Sequence, residues 1–425
     1  MFKVLIYTHE YPPYRGGAGV YSYDLAKGLA ALGAEVHVAT TNRDLPNPSS
    51  TSVDLDASVY LHYLENWKSA VPSEHYFLYR LQLQYKFNIV VVTERVAQEV
   101  VAQMKYPFFR YASVIHGTEI LNYFGPSSVN LTIDRSKMLR FYKNSVINIA
   151  GSKATLDLAE RLLKLKDITW TLVRYGINPS RLPVVDTSRI QTFKDRYPAG
   201  TEFVFCLGRL DLDKGHEILI PAFRQVREQR PNARLLIGGD GPYRQRLTEL
   251  RDSLDLNDCV DFLGNVSDVD LSIYFGLCDV FALPSKSKNR WEGFGLVYLE
   301  ANYYGKPVVG GNEGGVPEAI DNGVSGLIVD PHCVLEVASA IISLLQDKLL
   351  REKMGQMGYQ RVIDFYNSER MATETLRVID TLLIDDAFTN QVRRYIGKII
   401  CSATYILYAL RTSVSRILFS PHMFV

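Results

Sequence analysis

The chain reads as an α/β protein built from two doubly wound, Rossmann-like domains that face a deep cleft. Three observations carry this. Short apolar, β-branched runs alternate with helix-like stretches through both halves, the pattern of parallel sheets covered on both faces. Glycine-rich and charged segments follow directly on several of those runs, where an open parallel sheet opens its ligand crevice. Between the halves lies a stretch with Pro179, Pro183 and Pro198 and little periodicity. At 425 residues there is material for two full cores.

The elements follow in order. Phe2-Lys3-Val4-Leu5-Ile6-Tyr7 is a buried strand, followed by a glycine-rich loop and a helix from about Val20 to Leu32 that Gly33 closes. Strands are expected at 35–40, 58–64, 88–93, 112–116 and 146–149. In the second half, strands fall at 202–207, 233–237, 260–263 and 280–283, with helices at 215–230 and 244–254 between them. The domains this implies are 1–178, a linker 179–200, 201–366, a closing helix 367–386 and a tail 387–425.

Composition narrows the function. The net charge of +1 supplies no global field for nucleic acid. Five scattered cysteines (Cys206, Cys259, Cys278, Cys333, Cys401) form no C-x-x-C pair, which argues for a reducing compartment and against a disulfide framework or structural zinc. The start, MFKVLIYTHEYPP, has no signal-peptide architecture, so a cytoplasmic protein is expected.

The most informative segment is WEGFGLVYLEANYYGKPVVGG, Trp291 to Gly311. A Gly-Phe-Gly turn leads into an apolar helix and then a strand, so amides at the helix start and the helix dipole make an anion site. Glu292 sits at the mouth of the loop and Glu300 is expected about two turns along the helix. If both lay on one helix, eight residues would separate them by roughly 12 Å, too far for two carboxylates flanking one glycosidic bond.

This spacing resembles the E-x7-E signature of family 4 retaining glycosyltransferases, which have the GT-B fold (glycosyl transferases group 1). Other segments match in order: Gly208-Arg209-Leu210 with Asp213-Lys214-Gly215, Gly238-Gly239-Asp240-Gly241-Pro242, Phe262-Leu263-Gly264-Asn265-Val266, and Gly314-Gly315-Val316-Pro317-Glu318. Pro12-Pro13-Tyr14-Arg15-Gly16-Gly17 and His116-Gly117-Thr118-Glu119 fit the N-terminal half. The resemblance covers roughly residues 2 to 385.

The resemblance implies a donor site for a nucleotide-activated sugar, a GDP- or UDP-sugar. Arg209 and Lys214 would contact the diphosphate, where a planar fork and a point charge suit phosphate oxygens. Glu300 would accept from the ribose hydroxyls, and Glu292 would hold hydroxyls of the transferred sugar. His116 would touch that sugar across the cleft. Gly16 and Gly17 would permit positive φ and close ligand approach. Gly293, Phe294, Gly295 and Leu296 would line the donor loop, and Val266 the base pocket. The competing readings are a surface ion pair of Arg209 or Lys214 with Asp211 or Asp213, a core histidine at His116, and simple packing at Val266. Members of the family often carry Asn-Gly where this chain has Tyr175-Gly176, so that asparagine's contact is in question.

No metal or other cofactor is implied. The Asp-x-Asp patterns Asp54–Asp56, Asp211–Asp213 and Asp268–Asp270 are read as solvated turns, since the two cations would do a metal's work on the diphosphate. The family retains anomeric configuration by a front-face attack that needs no protein base. The acceptor would be a saccharide or lipid-linked molecule. The rival readings are a non-catalytic nucleotide-binding partner subunit, and an epimerase or phosphorylase on the same fold.

Beyond Asp386 there is no acidic residue, while Arg393, Arg394, Lys398, Arg411 and Arg416 punctuate an apolar sequence. Its run 399–410 is too short to span a bilayer. It is expected to lie in the interface of an anionic membrane, or to dock on protein, through residues 388–425.

Overall fold

A computed structural model describes residues 2–12, 16–41, 51–53, 58–64, 71–126, 133–164, 167–287 and 290–383. The tail, the Asp54–Asp56 pattern and Pro13 to Arg15 fall outside them.

The first sheet holds β1 (Lys3–Tyr7), β2 (Glu35–Thr41), β3 (Thr51–Val53), β4 (Val59–Leu64), β5 (Ile89–Val92), β6 (Tyr111–Ile115), β7 (Asn148–Ala150) and β8 (Trp170–Leu172), in the order β3-β4-β2-β1-β5-β6-β7-β8. All pairings are parallel except β3 with β4. The register sets Val4 beside Val36 and Ile89, and Leu5 beside Val90. With a side-chain period of two, Val4, Ile6, Val36, Val38, Ile89 and Val91 bury on one face and Leu5, Tyr7, Val90 and Val92 on the other. Helix Gly17–Ala31 covers the first face with Tyr21, Leu25 and Leu29, and helix Arg95–Ala102 the second with Ala97, Val100 and Val101.

The second sheet holds β9 (Glu202–Leu207), β10 (Ala233–Gly238), β11 (Val260–Gly264), β12 (Val280–Leu283), β13 (Val308–Gly311) and β14 (Gly326–Val329), all parallel, in the order β11-β10-β9-β12-β13-β14. The chain order therefore reverses between β9 and β12. The crevice of a doubly wound sheet opens at the strand C-termini of such a reversal.

The strand expectations match to within two residues at each end. The helix after β1 starts at Gly17, three residues earlier than periodicity suggests, and Gly33 follows it at φ +84°. Helix Ser368–Leu383 lies back against helix Gly17–Ala31, so closely that a Cβ at Gly28 would stand 2.4 Å from the Ser368 carbonyl oxygen.

A buried histidine pair lies on the first sheet. His37 on β2 and His62 on β4 stack with rings parallel, His37 Nδ1 lying 2.7 Å from His62 Nε2. His37 Nε2 reaches Glu35 at 3.1 Å. Burial, then the His37 neighbour, pull His62 down to about 4.

Candidate functional site between the two sheets

The loops after β9 and β12 meet at the reversal. Lys214 ends a short 3-10 turn, Leu212–Lys214, and its Nζ donates to Glu292 Oε2 at 2.5 Å. Gly215 follows at φ +72°, where a Cβ would lie 1.9 Å from the Pro284 carbonyl oxygen, so only glycine lets the two loops touch. Arg209, about half exposed, pairs with Asp211, which Arg290 also approaches at 3.6 Å. The cation–carboxylate pairing of Arg209 with Asp211 that competed with a ligand role is thus present. Lys214 instead reaches across 78 positions to the first glutamate of the E-x7-E spacing.

The Asp-x-Asp patterns are not uniformly solvated turns. Asp211 caps the turn by accepting from Leu212 N–H at 2.7 Å, but Asp213 is buried, because Lys286 N–H bonds its carbonyl and draws the β12 loop over it. Asp270 is exposed and pairs with Arg189 at 3.0 Å. Among the described residues, no three of His, Cys, Asp or Glu gather as metal ligands.

Glu292 is fixed through its backbone. Its N–H donates to Ser287 Oγ at 3.2 Å and its carbonyl accepts from Gly315 N–H at 2.8 Å. It lies in the loop, not on a helix. Helix Leu296–Tyr303 opens after Gly295 (φ +85°) with no side-chain cap, and Glu300 is its fifth residue, one turn in. The helical-rise separation of the two carboxylates therefore does not apply, since three loop residues lie between Glu292 and the helix. Glu300 is buried and accepts from Arg181 Nη2 at 2.7 Å. Leu296 is half-buried at the helix start, and Phe294 is buried between Tyr175 and Tyr366, with ring centroids at 5.1 and 5.6 Å.

The opposite wall comes from β6. His116 Nε2 donates to the Thr93 carbonyl at 2.8 Å, since a carbonyl can only accept, and Nδ1 meets the Tyr175 hydroxyl at 2.8 Å. Both ring nitrogens are thus engaged by the chain itself. Tyr175, from the segment where Asn-Gly was expected, supplies the second contact. The domains touch here. A Cβ on Gly293 would lie 2.5 Å from the His116 carbonyl oxygen, and Ser152 Oγ donates to the Gly293 carbonyl at 2.7 Å. Gly117, at φ +101°, leaves room for Trp291, whose Cδ1 would stand 2.1 Å from any Cβ there. Trp291 Nε1 donates to Thr155 Oγ1 at 2.9 Å. Glu318 accepts from Lys153 and Ala154 N–H, each at 2.8 Å, at the start of helix Lys153–Leu163.

The remaining expected residues divide. Gly16 has φ −166°, ordinary extended backbone, and Gly17 is helical, so neither uses the positive φ expected of it. A Cβ at Gly16 would meet the carboxylate end of the flexible Glu10 side chain, 2.4 Å from Oε2, and Gly17 faces open space. Val266 is buried, its Cγ2 standing 2.8 Å from where a Cβ on Gly238 would be. Sequence reasoning missed Asp24, Arg181, Thr155 and Glu318 as members of the domain contact. Only Glu318, within a quoted motif, carried any signal.

Two family models match consecutive parts of the chain: Glycosyltransferase Family 4 over residues 15–181 and Glycosyl transferases group 1 over residues 188–361. The chain belongs to this family of glycosyltransferases, with two Rossmann-like domains in the GT-B arrangement. It is 35% identical over 216 residues to a GDP-mannose-dependent α-(1-6)-phosphatidylinositol monomannoside mannosyltransferase of Mycobacterium tuberculosis, a match covering 48% of this chain and 55% of that protein. The chain thus spans about half the length of that relative. An uncharacterized glycosyltransferase of Methanocaldococcus jannaschii is 28% identical over 88% of this chain and 97% of its own. The fold is that of a sucrose-phosphate synthase from Thermosynechococcus elongatus, with TM-score 0.76 and 22% identity over 91% of this chain and 100% of that one.

Proposed function

We propose that the chain transfers a hexose from a GDP- or UDP-sugar to a saccharide or lipid-linked acceptor with retention of configuration. The observation that carries the reading is the Lys214–Glu292 contact at the β9/β12 reversal, beside the uncapped start of helix Leu296–Tyr303. A departing diphosphate builds negative charge, which a lysine, an arginine and helix amides stabilise without reorganising. Lys214 and Arg209 are the cations on the diphosphate. Glu292 holds hydroxyls of the sugar, and Glu300 accepts from the ribose. Gly293, Phe294, Gly295 and Leu296 shape the donor loop, with Val266 beside the base. His116 contributes to the sugar wall from the opposite domain.

In this reading the leaving phosphate takes the acceptor proton in a front-face attack, and no divalent metal takes part. Nucleoside diphosphate release, followed with and without acceptor, tests it. Transfer should persist in EDTA. Complete loss that Mn²⁺ restores would replace the lysine–arginine account with a metal-based one.

The mycobacterial relative, named for a phosphatidylinositol mannoside acceptor, favours a lipid-linked acceptor here too. Among the described residues no helix is long and apolar enough to cross a membrane. Peripheral attachment to the inner face of an anionic membrane is assigned to residues 388–425. Removing them should release the protein from anionic vesicles in a sedimentation assay. Undiminished sedimentation would remove the tail as anchor.

A further inference from the structure

Arg181 ends the short turn Pro179–Arg181, in the segment that joins the two halves. Its guanidinium is only 16% exposed and reaches two elements at once. Nη2 donates to Glu300 Oε1 at 2.7 Å, on the helix after the donor loop. Nε donates to Asp24 Oδ1 at 3.3 Å, on helix Gly17–Ala31 of the first domain. Asp24 is fully buried, and its Oδ2 has no hydrogen-bond partner among the described residues. One cation therefore bridges two buried carboxylates from opposite domains. Arg181 donates to Oε1 of the Glu300 carboxylate.

We propose that Arg181 is a positioning residue for the donor site: it orients Glu300 toward the ribose and, through Asp24, ties that orientation to the first domain. This rests on Glu300 being the ribose-binding group. Arg181 does not touch the donor; it sets which carboxylate oxygen faces it. The chemistry needs arginine, because a planar fork can reach two carboxylates in fixed directions and an ammonium cannot. Without the cation, two buried carboxylates would lose their partner, and Glu300 would lose the contact that sets its rotamer. Burial lifts the Asp24 carboxyl to about 7, and Arg181 pulls it the other way.

The test is ribose discrimination. Calorimetric titration compares UDP, GDP and ADP with their 2′,3′-dideoxyribose forms, in the native chain and in Arg181→Met, Arg181→Lys, Asp24→Asn and Glu300→Gln. The native chain should favour the ribose form of its nucleotide by about tenfold, the size of one or more hydrogen bonds to a buried charge. Both Arg181 variants should lose that preference as fully as Glu300→Gln, while Asp24→Asn keeps an intermediate one. Loss of packing alone would weaken both forms equally and leave the ratio untouched. The lysine variant, which keeps the charge, serves where methionine disturbs folding. Native discrimination in a folded Arg181 variant, alongside its loss in Glu300→Gln, would overturn the proposal. A native chain that shows no ribose preference would overturn the reading of Glu300 instead.

Discussion

Lys214 and Glu292 pair with each other, and in the proposed reading both would face the donor. A diphosphate would draw Lys214 away, and sugar hydroxyls would take over Glu292. Replacing Lys214 with alanine should lower turnover by about 10² to 10³, the usual cost of one preorganised charge donor. Arg209→Ala should do likewise. Both side chains are partly exposed, so thermal melting of the variants should stay near native. Near-native turnover in both would remove these residues from the diphosphate site. Both cations stand out in the sequence because each sits in a short motif after an apolar strand run. Arg181 and Asp24 do not, because their partners lie 119 and 157 positions away and a contact at that range leaves no local spacing. Tyr175 was visible only as a departure from a family pattern. Its hydroxyl contact with His116 needed coordinates.

Among the elements, the strands buried on both faces were the easiest to read, because a continuous apolar run bounded by turn residues has few other uses. β3 and β8 were not read; the three residues of β8 are only half-buried, unlike the equally short but fully buried β7. The backbone of the glycines before the first helix was not legible, because sequence does not say which φ a glycine takes: Gly16 is extended and Gly17 helical. β2 and β4 carry a consequence for stability. His62 stays neutral in the folded chain down to about 4, below its ordinary value near 6.5. The unfolded chain therefore binds more protons between those values, and stability rises with pH across that window. It is lost as pH falls from 6.5 toward 4, and His37, also lowered by burial, adds in the same direction. Between pH 7.5 and pH 5 the His62 contribution should fall by about 2 kcal/mol. Urea unfolding of native and His62→Phe protein at both pH values measures it. Equal pH dependence in the two would contradict the assignment.

At the scale of the molecule, two doubly wound sheets meet through a narrow set of groups. Trp291 fills the space Gly117 leaves, Ser152 reaches Gly293, Glu318 covers the start of helix Lys153–Leu163, and Arg181 joins Asp24 to Glu300. Two of these contacts, at Trp291 and Gly293, lie in the loop from Trp291 to Gly295, so that loop is part of the domain contact. The fold class was plain from alternating strands and helices. How the halves meet was not, because side chains at a domain contact obey no period within either half. The most direct measurement is a thermal-shift panel of UDP-, GDP- and ADP-sugars on the native chain and Lys214→Ala. A ligand at 100 times its Kd stabilises by about 2.7 kcal/mol. One base should raise the native melting temperature well above the others, and Lys214→Ala should lose most of that rise. A native chain that no sugar nucleotide stabilises, or a Lys214→Ala variant stabilised as much as the native chain, would contradict the proposed donor site.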